Sequence, residues 1–343
     1  MNWRSAVFWG GGLMMASTMA WPVMGQSVEE FYKNKQIRLI VGNPAGGDYD
    51  LGGRTLARFM GRHIPGSPTI VVQNMPGAST VVAANHIYNV APKDGTLFGS
   101  FSRNFPGQAV LGRETIKADP RLYSWIGGSS LPSRVCVANA SSPVKTFEDL
   151  FKHELIVGGS GAGSSLSIVP AVLNKVLGTK FRVVEGYKGS VDVVLAMERG
   201  ETQGICHTFS SFRNAHADLI TEGKVRILLH AEEAAFPFAA NVPSVYDHAK
   251  TEEQKQLMRF AFSSVEFGRP YVAPPNIPAD RLAALRKAFA DTLNDAELKS
   301  ESDKLKLDMT YRPPADLEKL VSQLYATPKD LLKQAQELMP SAD

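Results

Sequence analysis

The sequence feature that most constrains the fold is a repeated pattern of a short β-branched run, a turn rich in glycine, and a segment with helical spacing. The first such run, residues 35–42 (KQIRLIVG), ends at the turn 43–47 (NPAGG). Apolar residues then recur at helical spacing, namely Leu51, Thr55, Leu56, Phe59 and Met60. Strands that alternate with helices predict a mostly parallel sheet with both faces covered.

The same pattern recurs along the chain. Further strands are predicted at 69–74, 96–101, 135–138, 154–157, 181–184, 204–207 and 225–230, and a helix at 79–89. Residues 105–133 look less regular, and helices with apolar stripes are predicted at 279–292 and around 317–324. A chain of 343 residues exceeds the size at which one core stops growing. We therefore expect two lobes, the first formed by 26–130 plus 230–343 and the second by 131–229.

The N-terminus carries a single cation, Arg4, followed by an apolar run at 6–20 and the small residues Val23 and Gly25. This pattern is typical of a secretory signal peptide, with cleavage expected after Gly25 and the mature protein in the periplasm. An uncleaved N-terminal anchor is the alternative. The formal net charge of +3 falls by one when Arg4 is removed, and such a balance excludes nucleic acid as an expected partner.

Cys136 and Cys206 are the two cysteines of the chain, and neither lies in a cluster with metal-ligand spacing. No metal and no cofactor are therefore predicted. In an oxidising compartment the two thiols can form a disulfide. Alternatively they are buried, reduced and packed as small apolar residues.

Three loops that follow strands are rich in glycine and serine: 44–50, 160–165 and 186–190. Free backbone N–H groups at the start of a helix form a natural site for an anion, and glycine allows a ligand oxygen to approach closely. Ligands of open α/β sheets bind at the carboxyl ends of the strands, where such loops gather. The residues predicted to bind ligand from these loops are Pro44, Ala45, Gly46, Gly47, Asp48, Tyr49, Asp50, Ser160, Gly161, Ala162, Gly163, Ser164, Ser165, Tyr187, Gly189 and Ser190.

Outside the loops, the cation expected nearest the site is Arg103, which follows Ser102 at the end of a strand and could pair with a carboxylate. Asp50 is interpreted as a helix cap or as a residue that positions the pocket. His207 follows another strand and is interpreted as a pocket or core histidine.

Enzyme interpretations of residues 158–165 are weak. The segment GGSGA lacks the second glycine of a Gly-x-Ser-x-Gly nucleophile elbow, no Walker lysine follows, and the glycine spacing does not fit a dinucleotide site. A serine hydrolase that uses this loop with His207 as its base remains an alternative. A periplasmic chaperone or structural protein without a small ligand is another.

Several segments in order along the chain resemble the periplasmic receptors of tripartite tricarboxylate transporters, also called Bug receptors. They are 37–41 (IRLIV) leading to 44–47 (PAGG), 72–78 (VQNMPGA), 91–96 (APKDGT), Gly161 to Ser164, 186–189 (GYKG) and 274–285. The resemblance implies a type II periplasmic-binding-protein fold with two α/β lobes joined by crossover strands. It also implies that loops 44–47 and 160–165 hold a ligand carboxylate through backbone N–H groups.

This sequence departs from the family pattern at Asn43, at 48–50 and at 100–103, which is more basic than usual. Arg103 suggests a second acidic group on the ligand, and Tyr49 or Phe209 suggests an aromatic ring. We therefore expect a receptor and not an enzyme, monomeric, which closes on a di- or tricarboxylate or an aromatic acid. Its expected partners are the membrane permease subunits of a transporter of this type.

Overall fold

The computed structural model describes residues 26–130, 133–161, 164–209, 212–213, 216–233, 236 and 239–338. The predicted signal peptide, residues 1–25, lies outside this part of the chain, as do Ala162 and Gly163 of the second glycine-rich loop. No side chain is described for Ser165. Among the helices that are described, none combines the length and the apolar content needed to cross a bilayer.

The strands are β1 Gln36–Val41, β2 Thr69–Asn74, β3 Leu97–Ser100, β4 Ser124–Gly128, β5 Arg134–Asn139, β6 Leu155–Gly158, β7 Phe181–Val184, β8 Gly204–Thr208, β9 Val225–His230 and β10 Pro270–Ala273. The helices are α1 Val28–Tyr32, α2 Asp48–Met60, α3 Val81–Asn89, α4 Phe105–Val110, α5 Ser165–Leu177, α6 Ser190–Glu198, α7 Ala217–Thr221, α8 Glu252–Glu266, α9 Ala279–Asn294, α10 Ala296–Lys304, α11 Pro314–Tyr325 and α12 Lys329–Leu338.

The strands form two five-stranded sheets. Sheet 1 has the order β2-β1-β3-β10-β4, and sheet 2 has the order β7-β6-β8-β5-β9. In each sheet four strands run in one direction, while β10 in sheet 1 and β5 in sheet 2 run against them. Each sheet is therefore mostly parallel, as the βα alternation predicts, but contains one antiparallel strand. That strand, β10 in sheet 1 and β5 in sheet 2, is the first strand after the chain passes from the other sheet.

The connection from sheet 1 to sheet 2 is short. β4 ends at Gly128 and β5 begins at Arg134, so at most about 20 Å of chain separates them. Strands β1, β2, β3 and β4 end at the same edge of sheet 1, and β6, β7, β8 and β9 end at the edge of sheet 2 where β5 begins. We call these the carboxyl edges. The connection holds the two carboxyl edges beside each other.

A disulfide joins Cys136 of β5 to Cys206 of β8, which lie directly opposite each other in the antiparallel pair. Of the two alternatives left open by the sequence, the structure shows the bonded one. Both residues are fully buried. The bond ties the strand that follows the connection to the centre of sheet 2.

The core contains side chains from both sheets and from the helices between them. One continuous cluster includes Trp125 of β4, Cys136 of β5, Phe262 of α8 and Leu317 of α11. Helix α8 packs against α12, α5, α11 and α4. Helix α9 packs against α2 and β4 of sheet 1. The C-terminal helices predicted to return to the first half of the chain therefore do so.

Two local predictions are wrong. The helix predicted at 79–89 begins at Val81, because Ala78, Ser79 and Thr80 all have positive φ and form a tight turn first. The stretch 105–133, interpreted as irregular, contains α4 and β4, which occupies an edge of sheet 1. Strand β4 was not recognised because it ends in two glycines, which are rare in strands, although its first residues have the usual β pattern.

Candidate functional site

The first glycine-rich loop is held by a carboxylate. Asp50, in the first turn of α2, is 3% exposed and accepts hydrogen bonds from the Gly46 N–H at 2.8 Å and from Asn74 Nδ2 at 2.8 Å. Arg54 Nε donates to the same carboxylate at 3.0 Å. Burial raises the pKa of Asp50, but these hydrogen bonds outweigh burial, so its pKa lies below the ordinary value. Asp50 is ionised and fixes the loop in front of the helix.

The predicted ligand residues Pro44, Ala45, Gly46 and Gly47 form an exposed turn at the carboxyl edge of sheet 1. Gly46 has φ +83°, a conformation that favours glycine. Because its N–H donates to Asp50, that N–H holds the loop together and is not offered to a ligand. The Asp48 side chain is 65% exposed.

Tyr49 joins three segments through its hydroxyl. Its oxygen accepts a hydrogen bond from the Arg103 N–H at 3.0 Å, and its O–H donates to the Gly268 carbonyl at 3.4 Å. Burial raises the pKa of this phenol, so it stays neutral. The Ser102 N–H donates to Thr80 Oγ1 at 3.0 Å. The predicted residues Tyr49, Ser102 and Arg103 are therefore brought together at one edge of sheet 1.

Arg269 packs against the first turns of α2, next to Asp48. It is 4% exposed, and its Nη1 lies 3.6 Å from Asp48 Oδ1. A Cβ at position 52 would lie 2.7 Å from that nitrogen, so Gly52 makes room for the guanidinium against α2. Arg269 Nη2 also donates to the Asp308 carbonyl. The sequence interpretation did not include Arg269.

The second glycine-rich loop, at the carboxyl edge of sheet 2, also holds a carboxylate of the protein. The Gly161 N–H donates to Glu185 Oε2 at 2.7 Å, and a Cβ at Gly159 would collide with the same carboxylate. Ser164 lies at the N-terminus of α5, and its Oγ is 3.0 Å from Ser167 Oγ. Glu185 thus shows that this loop can accept a carboxylate oxygen.

The third loop leads from β7 into α6. Gly189 precedes the first helical residue, Ser190, and the Tyr187 N–H donates to the Gly159 carbonyl at 3.2 Å. The second and third loops are therefore in contact at the carboxyl edge of sheet 2. Phe209, suggested as a partner for an aromatic ligand, is 4% exposed and packs edge to face against Phe236 in the core.

His207 and Arg134 lie side by side where β8 ends and β5 begins. Burial, with smaller effects from the charges of Arg134 and His216, lowers the pKa of His207 to about 4, so its imidazole is neutral at pH 7. Its Nδ1 is buried without a hydrogen-bond partner in the described structure. Burial and the charge of Arg103, opposed by Glu232, lower the pKa of Arg134 to about 9. Arg134 is still a cation at pH 7.

The predicted site residues thus form two groups, one at each carboxyl edge, and Arg103 and Arg134 are close enough for each charge to act on the other. Sequence reasoning missed Arg134, Asn74 and Glu185. Each is a polar residue at the end or beginning of a strand, which is the signal that could have identified them. The described part of the chain contains no cluster of His, Cys, Asp or Glu that could hold a metal ion.

Comparison with known proteins places this geometry in context. Residues 54–336 match the model of the tripartite tricarboxylate transporter family receptor, TctC. A UPF0065 protein from Cupriavidus necator is 27% identical over 210 residues, which are 59% of this chain and 61% of that protein. The alignment therefore spans about three fifths of the relative's length.

Solved structures show the same fold. A TctC solute-binding protein from Polaromonas, crystallised without ligand, superposes with a TM-score of 0.71 at 20% identity, covering 88% of this chain and 99% of that one. MatC from Rhodopseudomonas palustris, with bound malate, superposes with a TM-score of 0.53 at 20% identity, covering 87% of this chain and 99% of that one. The predicted two-lobed α/β fold of periplasmic binding proteins is confirmed by these likenesses.

Proposed function

The chain belongs to the tripartite tricarboxylate transporter receptor family, and from that premise we propose that it is a receptor that captures a small carboxylate in the periplasm and delivers it to membrane permease subunits. The family consists of solute-binding receptors and not enzymes, so the prediction that the chain is not an enzyme is confirmed. We also propose that a signal peptide, cleaved after Gly25, directs export of the protein to the periplasm.

The observation that carries the ligand class is the pair of glycine-rich loops at adjacent carboxyl edges. The second loop already binds a carboxylate, that of Glu185, through the Gly161 N–H. A ligand carboxylate can replace Glu185 there, since Glu185 is exposed and free to turn into solvent. MatC, a structural neighbour, binds malate, which is a small dicarboxylate.

Closure would bring the first and second loops onto the same ligand. The lobes would be 26–130 plus 230–343 and 131–229, moving about the two places where the chain passes between them. A ligand that contacts both loops binds the closed form better and shifts the equilibrium toward it. The closed form would then present a new surface to the permease. No covalent step is required of any residue.

Trp125 provides the reporter for a direct test. It is 1% exposed, packs against Phe267 just before β10, and is the one tryptophan outside the predicted signal peptide. Residues 26–343, unfolded and refolded to remove bound ligand, are heated with mono-, di- and tricarboxylates and aromatic acids. A ligand at 100 times its dissociation constant adds about 2.7 kcal/mol and raises the melting temperature by several degrees.

A rise confined to one class of acids supports the receptor and names that class. No rise with any acid across the panel refutes the proposal and favours a protein without a small ligand. Hydrolysis of ester or amide substrates that disappears in Ser164→Ala would also refute it, in favour of a hydrolase.

A further inference from the structure

Arg134 is the first residue of β5 and follows the connection from sheet 1 directly. It therefore lies at the carboxyl edge of sheet 2, opposite Thr208 and beside His207 of β8. This is the edge that also carries the second and third glycine-rich loops. Its position places its guanidinium beside the region that we propose as the ligand site.

The guanidinium of Arg134 is buried and has no directly paired anion among the described residues. The residue is 6% exposed, its Nε has no hydrogen-bond partner, and it forms no ion pair within the described residues. The nearest acid is Glu232, whose carboxylate accepts a hydrogen bond from the Arg134 backbone N–H at 2.5 Å and lies 3.1 Å from His230 Nδ1. Burial outweighs the favourable charge of Glu232 and lowers the pKa of Arg134, so burying this cation without a direct partner costs the empty protein stability.

Glu232 acts on the Arg134 charge from a distance, and the other groups around the guanidinium are cationic or neutral. Arg103 approaches from the loop after β3 and also forms no ion pair in the described part of the chain. His207 is neutral at pH 7, and its Nδ1 is likewise buried and has no hydrogen-bond partner within the part of the chain that the structure describes. Two cations and one unpaired imidazole nitrogen thus share one place, which an anionic group would complete.

We propose that Arg134, together with Arg103, binds a second acidic group of the ligand, so that the receptor selects dicarboxylates over monocarboxylates of the same length. The proposal rests on the proposed function, in which the first carboxylate lies on the glycine-rich loops. It assigns to Arg134 the role of a specificity-determining residue, and it explains why the structure retains a buried guanidinium that lowers stability.

The test uses pairs of ligands that differ by one acidic group, succinate with butyrate and adipate with hexanoate. Calorimetric titration of residues 26–343 is repeated with Arg134→Met, Arg134→Lys and the control Arg226→Met. Arg226 lies on β9 of the same sheet, is exposed, and pairs with Ala138 toward the opposite edge. The Met variants remove the charge and keep a flexible apolar side chain.

We expect the wild-type protein to bind one dicarboxylate at least about 10-fold more tightly than its matched monocarboxylate, the scale of a charged hydrogen bond. Arg134→Met should remove that preference and leave monocarboxylate binding within about 2-fold. Arg134→Lys should restore part of the preference, because the charge remains while the planar fork is lost. Arg226→Met should behave as the wild type.

Stability of the empty protein separates a binding role from a structural one. If Arg134 serves binding, Arg134→Met melts at the same temperature as the wild type or higher, because an unpaired buried charge has been removed. A lower melting temperature, with mono- and dicarboxylate affinity falling equally, would assign Arg134 to structure and overturn the inference.

Binding to the wild-type protein separates failure of this inference from failure of the proposed function. A wild type that binds both members of each pair equally overturns the inference but leaves the carboxylate receptor standing. A wild type that binds neither member overturns the proposed function, and the inference with it. Both measurements are made on the wild type, so they decide the question even where Arg134→Met does not fold.

Discussion

One prediction concerns the stability contributed by Asp50, whose carboxylate fixes the first glycine-rich loop through hydrogen bonds. In Asp50→Asn one carboxylate oxygen becomes an NH2 group. Oδ2 accepts from Gly46 and Arg54, and Oδ1 accepts from Asn74, so either orientation of the amide directs an NH2 at another donor. A buried donor without a partner costs about 1–3 kcal/mol. We expect a loss of about 2 kcal/mol.

The assay is thermal unfolding followed by Trp125 fluorescence, in residues 26–343. A loss of about 2 kcal/mol lowers the melting temperature by roughly 4–8 °C in a domain of 150–250 residues. Asp48→Asn is the matched control, because the Asp48 side chain is 65% exposed and its partner Arg269 is 3.6 Å away. Because Asp48 is exposed to solvent and the contact is long, we expect the pair to contribute about 0–1 kcal/mol. Carboxylate affinity should also fall in Asp50→Asn, since the loop loses its anchor.

The pH dependence of the melting temperature gives a second test of the role of Asp50. Because the folded pKa of Asp50 is lowered, ionised Asp50 stabilises the fold fully above the unfolded value of about 3.9, and this stabilisation is lost as pH falls through the folded pKa. The difference between wild type and Asp50→Asn should be constant from about pH 5 to 8 and shrink below about pH 4. Equal melting temperatures for the two Asn variants at pH 7 would refute the reasoning.

Three further predictions test other parts of the molecule. Arg103→Ala should weaken dicarboxylate binding by about 2 kcal/mol or more in titrations, and an unchanged dissociation constant would remove Arg103 from the site. Replacing Cys136 and Cys206 with Ala should lower the free energy of unfolding by about 4 kcal/mol for a loop of 70 residues, and reductant should then have no further effect on melting. Gly46→Ala should cost about 1–2 kcal/mol because its φ is +83°, whereas Gly47→Ala, at φ −82°, should melt near the wild type.

Much of the fold could be predicted from local patterns. The strand at 69–74 was predicted to the residue, because a run of β-branched residues ends at a Pro-Gly turn. The start of α3 was missed, because positive φ at Ala78 to Thr80 is set by tertiary contacts, including the Thr80 hydroxyl that receives the Ser102 N–H. Strand β10 has four residues and no alternating pattern, since it is buried on both faces, and it was not predicted.

Sequence reasoning identified the loops of the candidate site together with Asp50 and Arg103, but it missed Arg134 and Glu185. Glycine-rich turns after strands are visible in the sequence, whereas the partner of each turn lies far away along the chain. Glu185 is 24 residues from Gly161. Arg134 precedes an apolar run by one position and resembles an ordinary surface cation. Its burial depends on β8, more than 70 residues later in the chain, which no local pattern encodes.

The order of strands also sets the order in which the molecule can be assembled. All strands of sheet 2 come from one continuous stretch, 134–230, whereas in sheet 1 β10 lies between β3 and β4 and is the only strand that joins them among those described. During synthesis or export, sheet 2 can form as soon as its own residues are available. Sheet 1 stays divided, with β4 unpaired, until residue 273 has emerged.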